Sequence, residues 1–254
     1  MNFQRFFKRQ VLLFSFTLLS NTLLAQNTDF RYSTPKQTNL DFVLTAGKGS
    51  SLGLSYTKLF AKTKNNHFKI GYGLRLTSFF SGSKNYITAP AKLTTGKSSP
   101  FTMFQPIVEA NLDTISINKS AVIYLNAKVA LQYSIQRIDV GFDIDVMGLS
   151  LGNTQIAQFR SQTINAKPRL TNFLLMGDND RGSINSEFYM RYWLNLRTAI
   201  RAGISYQFIE YNTDKPLDNN NDRFRAKIMM PFIAFTFSPY KWAWKDFSNK
   251  KYNR

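Results

Sequence analysis

The chain has 254 residues, 33 lysines and arginines against 15 aspartates and glutamates, a formal charge of +18, and no cysteine. The missing cysteine excludes a disulfide framework, a thiolate metal site and a lipid-modified N-terminal cysteine, so packing and hydrogen bonding must supply the stability. The length suits one β domain, and the cationic surplus favours anionic partners.

Met1 to Ala25 has the layout of a secretory signal peptide. Arg5, Lys8 and Arg9 precede an apolar stretch from Val11 to Leu24, and cleavage is expected between Ala25 and Gln26. A membrane-anchoring helix is the rival reading. Ser20, Asn21 and Thr22 weaken it by interrupting a run already shorter than the ~20 apolar residues a spanning helix needs. Residues 26–38 are polar, contain Pro35 and are expected to form a periplasmic lead-in.

From there the dominant pattern has a period of two, the signature of a strand with one apolar and one polar face. Leu40, Phe42, Leu44 and Ala46 mark a first strand, and Leu52, Leu54 and Tyr56 a second. Lys58 breaks the apolar face of the second near one end, where a long cation can reach lipid headgroups. Phe68, Ile70, Tyr72, Leu74, Leu76 and Phe80 mark the third. A long polar segment, 82–120, follows, with Pro90, Pro100 and Pro106.

The clearest stretch is Ala121 to Val146. Ala121, Ile123, Leu125, Ala127, Val129, Leu131, Tyr133 and Ile135 alternate with Asn126, Lys128, Gln132 and Ser134. After Gln136 and Arg137 the parity switches, and Ile138, Val140, Phe142, Ile144 and Val146 alternate with Asp139, Gly141, Asp143 and Asp145. A two-residue hairpin loop requires this switch, since it sets Ile135 opposite Ile138. Each arm exceeds the ~9–11 residues with which a tilted strand spans a bilayer. These arms are the fourth and fifth strands.

After a second long segment, 152–182, Phe188, Met190, Tyr192 and Leu194 mark the sixth strand, and Ala202, Ile204, Tyr206 and Phe208 the seventh. The eighth runs from Arg223 to Phe237, with Pro231 suggesting a bulge. The fold class expected is a single antiparallel up-and-down transmembrane β-barrel over 39–238, with eight strands, or ten if Ile107 to Leu112 pairs with a neighbour. Links after the second, fourth and sixth strands are short, and those after the third, fifth and seventh are long. Outer-membrane barrels have short periplasmic turns and longer external loops, so both termini are expected in the periplasm. Residues 239–254 form a tail in which Lys241, Lys245, Lys250, Lys251 and Arg254 lie among Tyr240, Trp242 and Trp244. Such a mixture suits a headgroup region, and nucleic acid is not expected as a partner. Aromatics of the apolar parity near strand ends suggest two girdles: Phe80, Phe188 and Phe208 outside, Phe60, Tyr133 and Tyr192 inside.

The polar parity carries Arg75, Lys128, Asp139, Asp143, Asp145, Glu187, Arg191 and Arg201. Eight strands leave room for side chains and little else, so these charges are expected to pair across the lumen. An ion path, or acid–base work by Asp143 and Asp145, is the functional alternative. His67, the only histidine, falls in a short turn with no visible nucleophile or orienter, so no catalytic residue is assigned. Residues 177–182 and 218–222 are rich in Asp, Asn and Gly, as calcium loops are, but lack a complete EF-hand pattern and also read as turns. No metal or cofactor is expected.

Three stretches carry a family likeness: Phe142 to Gly152 (FDIDVMGLSLG), Leu175 to Tyr189 (LMGDNDRGSINSEFY) and Asn221 to Arg225 (NDRFR). With the Ala25-Gln26 cut they resemble outer-membrane β-barrel proteins of the Bacteroidota type. The resemblance implies location and fold and brings no catalytic residues. Phe235 to Phe237 is similar to the aromatic-rich end by which such barrels are recognised for assembly. The expectation is a non-enzymatic outer-membrane barrel with a filled lumen and a structural or surface-interaction role through its outer loops. Its expected partners are outer-membrane lipid and lipopolysaccharide, and proteins met by the loops. A small pore, a lipid-modifying barrel enzyme and a soluble lipocalin-like carrier are the alternatives.

Overall fold

The computed structural model describes residues 35–97, 105–175 and 179–239. The expected signal peptide, its cut at Ala25-Gln26 and the tail beyond Pro239 lie outside them. Among the described residues there are thirteen strands. The first seven are β1 (Lys36–Ala46), β2 (Ser50–Ala61), β3 (Phe68–Ser81), β4 (Lys84–Thr88), β5 (Thr114–Ile117), β6 (Ser120–Ile135) and β7 (Ile138–Leu151). The rest are β8 (Gln155–Phe159), β9 (Gln162–Pro168), β10 (Thr171–Phe173), β11 (Ile184–Trp193), β12 (Thr198–Thr213) and β13 (Arg223–Phe237). Among the described residues one short α-helix, α1 (Ala91–Thr95), lies between β4 and β5.

Eight of these strands close on themselves, each antiparallel to its neighbours, in the order β1-β2-β3-β6-β7-β11-β12-β13 and back to β1. The other five short strands lie in the segments read as polar loops, so the described residues hold more strands than the eight expected. Cross-strand partners lead once around the ring from Gln132 through Gly141, Tyr189, Gly203, Phe232, Thr45, Ser51 and Phe79. The path returns to β6 at Val122, ten residues from its start. That stagger is what tilts the strands and lets the sheet close without an edge.

The pleat sorts the side chains. Phe42, Leu44, Leu54, Leu74, Leu125, Leu131, Phe188, Met190, Ile204 and Ile233 point outward and are exposed. Asp41, Arg75, Asn126, Lys128, Asp143, Glu187 and Arg201 point inward and are buried. A water-soluble carrier barrel has the opposite arrangement, which overturns the lipocalin-like alternative.

Several local expectations are corrected. β1 begins at Lys36, which pairs with Phe60, so the lead-in expected over 26–38 ends earlier; the long partner strand β2 recruits residues whose own pattern is not alternating. Ile107 to Leu112 forms no strand: Glu109–Asn111 is a 3-10 turn, and the ten-strand alternative falls. Pro231 makes no bulge, since the β12–β13 register is continuous past it. Its missing N–H falls where β13 has left β1 and has not yet met β4, a flank without a partner strand. The irregularity lies in β7 instead, where Ala127 pairs with Met147 and Lys128 with Asp145, leaving Val146 as the extra residue. The β6–β7 hairpin pairs Ile135 with Ile138, and Gln136 takes a left-handed φ of 51° to turn the chain.

The long segments are structured. β12 and β13 run on past the first ring and, with β4, β5, β8 and β9, close a second ring of six strands above it. Phe79, Tyr86, Ile115, Ile117, Val122, Tyr124, Phe159, Ile209, Tyr211, Phe224, Ile228 and Met230 fill the upper interior as one apolar core. The interior thus has two halves, charged near the termini and apolar toward the long loops.

Candidate functional site: the charged lumen

Each charged residue of the lower interior lies on a tilted strand, on the parity that alternation turns inward. The barrel brings charged residues from six strands into one network. Arg201 donates to Asp41 at 3.3 Å, Asp143 at 3.0 Å and Glu187 at 2.6 Å. Arg75 donates to Asp145 at 2.9 Å, Glu187 at 3.1 Å and Asp143 at 3.4 Å. Lys128 donates to Asp143 at 2.7 Å and Ser55 at 3.3 Å. Arg191 donates to Gln132 at 2.8 Å, Asp41 at 3.3 Å and Asp139 at 3.4 Å, and the Trp193 indole donates to Asp139 at 2.8 Å.

All eight residues singled out from the sequence therefore lie inside one connected set. Two members escaped that reading, Asp41 and Lys69. Asp41 accepts from Arg191, Arg201, Thr236 and Ser55. Lys69 donates to Gln37 at 2.7 Å and Ser134 at 3.4 Å. Their signal was in the sequence, for both occupy the polar parity of β1 and β3. With them the set holds Asp41, Asp139, Asp143, Asp145 and Glu187 against Lys69, Arg75, Lys128, Arg191 and Arg201, equal numbers of each sign.

Neutral side chains complete the packing. The Tyr189 ring lies 3.9 Å from the Arg201 guanidinium carbon and 5.1 Å from that of Arg191, within cation–π range. Gly141 makes room for that ring: a Cβ there would sit 2.4 Å from its atoms. Asn126 and the Asn185 backbone N–H donate to Asp145 at 2.8 and 3.0 Å.

The charges of this set are held by one another. Every carboxylate of the set accepts from two or more donors, and Asp143 is held by three cations. Asp143 and Asp145 share Arg75, so neither stands free as a general base. Burying such charges is costly unless paired, and removing one partner leaves that cost exposed. Above the network the apolar core separates it from the long loops. There the Tyr86 hydroxyl donates to Ser120 at 2.7 Å, and Ser120 meets the Tyr211 hydroxyl at 2.9 Å.

The remaining candidates lie elsewhere. His67 Nδ1 is 2.6 Å from the Ser134 carbonyl oxygen, and its ring stacks on Tyr133 at the short-turn end. Residues 177 and 178 of the first Asp-rich loop lie outside the described residues; Asp180 accepts from the Leu175 N–H at 2.7 Å. In the second, Asp218 pairs with Arg160 and Asp222 accepts from Asn212 at 3.0 Å. Among the described residues no group of three or more His, Cys, Asp or Glu could hold a metal ion. Of the girdle aromatics, Phe80, Phe188, Tyr133 and Tyr192 are exposed, while Phe60 and Phe208 are half-buried against Tyr72 and Tyr206.

No family model and no curated protein matches the chain. Among solved structures it is similar to Neisserial surface protein A (NspA), at 6% identity over 80% of this chain and 94% of that one, with a TM-score of 0.34. It is also similar to a Pseudomonas aeruginosa FadL homologue, at 12% identity over 82% of this chain and 69% of that one, with a TM-score of 0.18. The functional reading below rests on this chain's own geometry.

Proposed function

We propose that the protein is a non-enzymatic outer-membrane β-barrel with a sealed lumen, which holds a rigid set of outer loops at the cell surface. The observation that carries this reading is the inversion of the barrel's faces: an exposed apolar exterior around a buried, charge-balanced interior. Lipid is the solvent that such an exterior fits, and a closed barrel satisfies every backbone group within it. The likeness of the Phe142, Leu175 and Asn221 stretches to barrels of the Bacteroidota type supports the outer membrane as its place.

Charge supports a lipid partner and an orientation. At the short-turn end Lys36, Lys62, Lys64 and Arg197 are exposed, and among the described residues no exposed carboxylate accompanies them. Such a ring suits anionic headgroups of the periplasmic leaflet. The other end mixes signs, with Glu109, Asp214 and Asp218 exposed beside its cations. That end, built as a second closed ring, is the part available to lipopolysaccharide and to protein partners.

Conductance tests the sealed lumen. Purified protein in a planar bilayer should give no steady single-channel steps, because the ion network and the apolar core lie in series across the interior. Reproducible steps from the wild-type protein would replace this reading with the small-pore one.

A further inference from the structure

At the long-loop end, the tight turn between β1 and β2 and the exit of β3 bound a cleft of about 600 Å³. Lys48 stands on the turn, and Phe80, Ser81 and Gly82 form the facing wall. Lys84, the first residue of β4, reaches back and donates from Nζ to the Lys48 carbonyl oxygen at 2.9 Å. The Lys84 ammonium is thus held at the turn that carries Lys48. Burial, and then the charge of Lys48, hold Lys84 below the usual lysine range, and no carboxylate contributes there. Like charges held together in this way are relieved by an anion placed between them.

The surroundings say what kind of anion. Gly82 is open, with nothing within 4 Å of where a side chain would begin, so the backbone there can be approached closely. Directly below the lysines the exterior turns apolar: Phe80 pairs with Ser50, and Leu52 with Leu44, and Phe80, Leu52 and Leu44 are exposed. A ligand matching both features carries a phosphate at one end and hydrocarbon at the other.

We infer that this cleft binds the phosphate of an outer-leaflet lipid headgroup, Lys48 and Lys84 meeting the charge while Phe80, Leu52 and Leu44 seat the start of the acyl chains. The inference rests on the membrane reading given above, and the two fail differently. In the test, the barrel in detergent is titrated with a bis-phosphorylated lipid A and with its dephosphorylated form, and bound lipid is counted by native mass spectrometry. The variants are the double substitution Lys48→Gln/Lys84→Gln and, as a charge-matched control at exposed lysines of β9 and the β12–β13 connection, Lys167→Gln/Lys215→Gln.

The cleft variant should bind the phosphorylated lipid roughly thirtyfold more weakly, the scale expected for two cations near an anionic surface. The control variant should match wild type, and the dephosphorylated lipid should not distinguish the three proteins. Circular dichroism and resistance to unfolding in unheated SDS check that each is folded. Equal binding by wild type and the cleft variant overturns the inference. So does an equal loss in the control variant, which would show net charge alone, or inorganic phosphate binding as tightly as the lipid. Failure of the wild type to insert into vesicles would instead strike the membrane reading.

Discussion

Glu187 shows how tightly single residues are committed. Its carboxylate accepts from Arg201 at 2.6 Å, Asn185 at 3.0 Å and Arg75 at 3.1 Å, and it is buried. Glu187→Ala removes a shared acceptor and leaves two guanidiniums short of a counter-charge. Unfolding free energy should fall by roughly 3–5 kcal/mol, the usual cost of breaking a buried pair. Reversible urea unfolding in lipid vesicles measures it, and a loss below 1 kcal/mol would show that water already reaches the pair. Leu131 tests the opposite face. It points outward from β6 between Ile70 and Phe142, four residues before the end of that strand. Leu131→Arg should cost about 2–4 kcal/mol if that position lies near the bilayer midplane. Wild-type stability of the variant would contradict the register. The inward parity of Glu187 and the outward parity of Leu131 were both legible from alternation alone. That Arg75 in particular meets Glu187 was not, because it lies 112 residues away in the chain.

Among the elements, β7 decides the most. It carries Asp139, Asp143 and Asp145 into the network and absorbs one extra residue at Val146. Deleting Val146 joins Asp145 to Met147 with their faces unchanged, so the barrel should still form. Deleting Ile144 shifts the strand by one, and Asp145 must then leave Arg75 or carry its neighbours to the wrong face. Folding yield into vesicles, read by the mobility of unheated samples, should stay near wild type for the first and collapse for the second. Equal yields would mean that the bulge moves freely along β7. The bulge itself was not legible: Val146 continues the apolar alternation in sequence, and only the pairing of Ala127 with Met147 exposes the slip.

For the whole molecule, orientation is the open consequence of the link lengths. An epitope inserted between Arg160 and Ser161, in the exposed β8–β9 turn, should be labelled on intact cells. The same epitope between Gln136 and Arg137 should be labelled only after permeabilisation. The reverse result would turn the barrel over and move the two-lysine cleft to the periplasmic side. The β8–β9 turn is also anchored through the loops, since Arg160 pairs with Asp218 and Asp113.

The sequence by itself determined the period of two, the long alternating strands, the β6–β7 hairpin and the face on which most lumen charges fall. These are local properties: the pleat alternates side chains, and a two-residue loop needs a parity switch. Only the tertiary structure decided the rest. The stagger of ten, the pairing of Asp41 with Arg201 across 160 residues and the second ring built from β4, β5, β8 and β9 depend on which strands meet. In those loops Ile115, Ile117 and Phe159 read as scattered apolar residues in polar surroundings. They become a core because strands from three distant segments close around them, and no local pattern encodes that meeting.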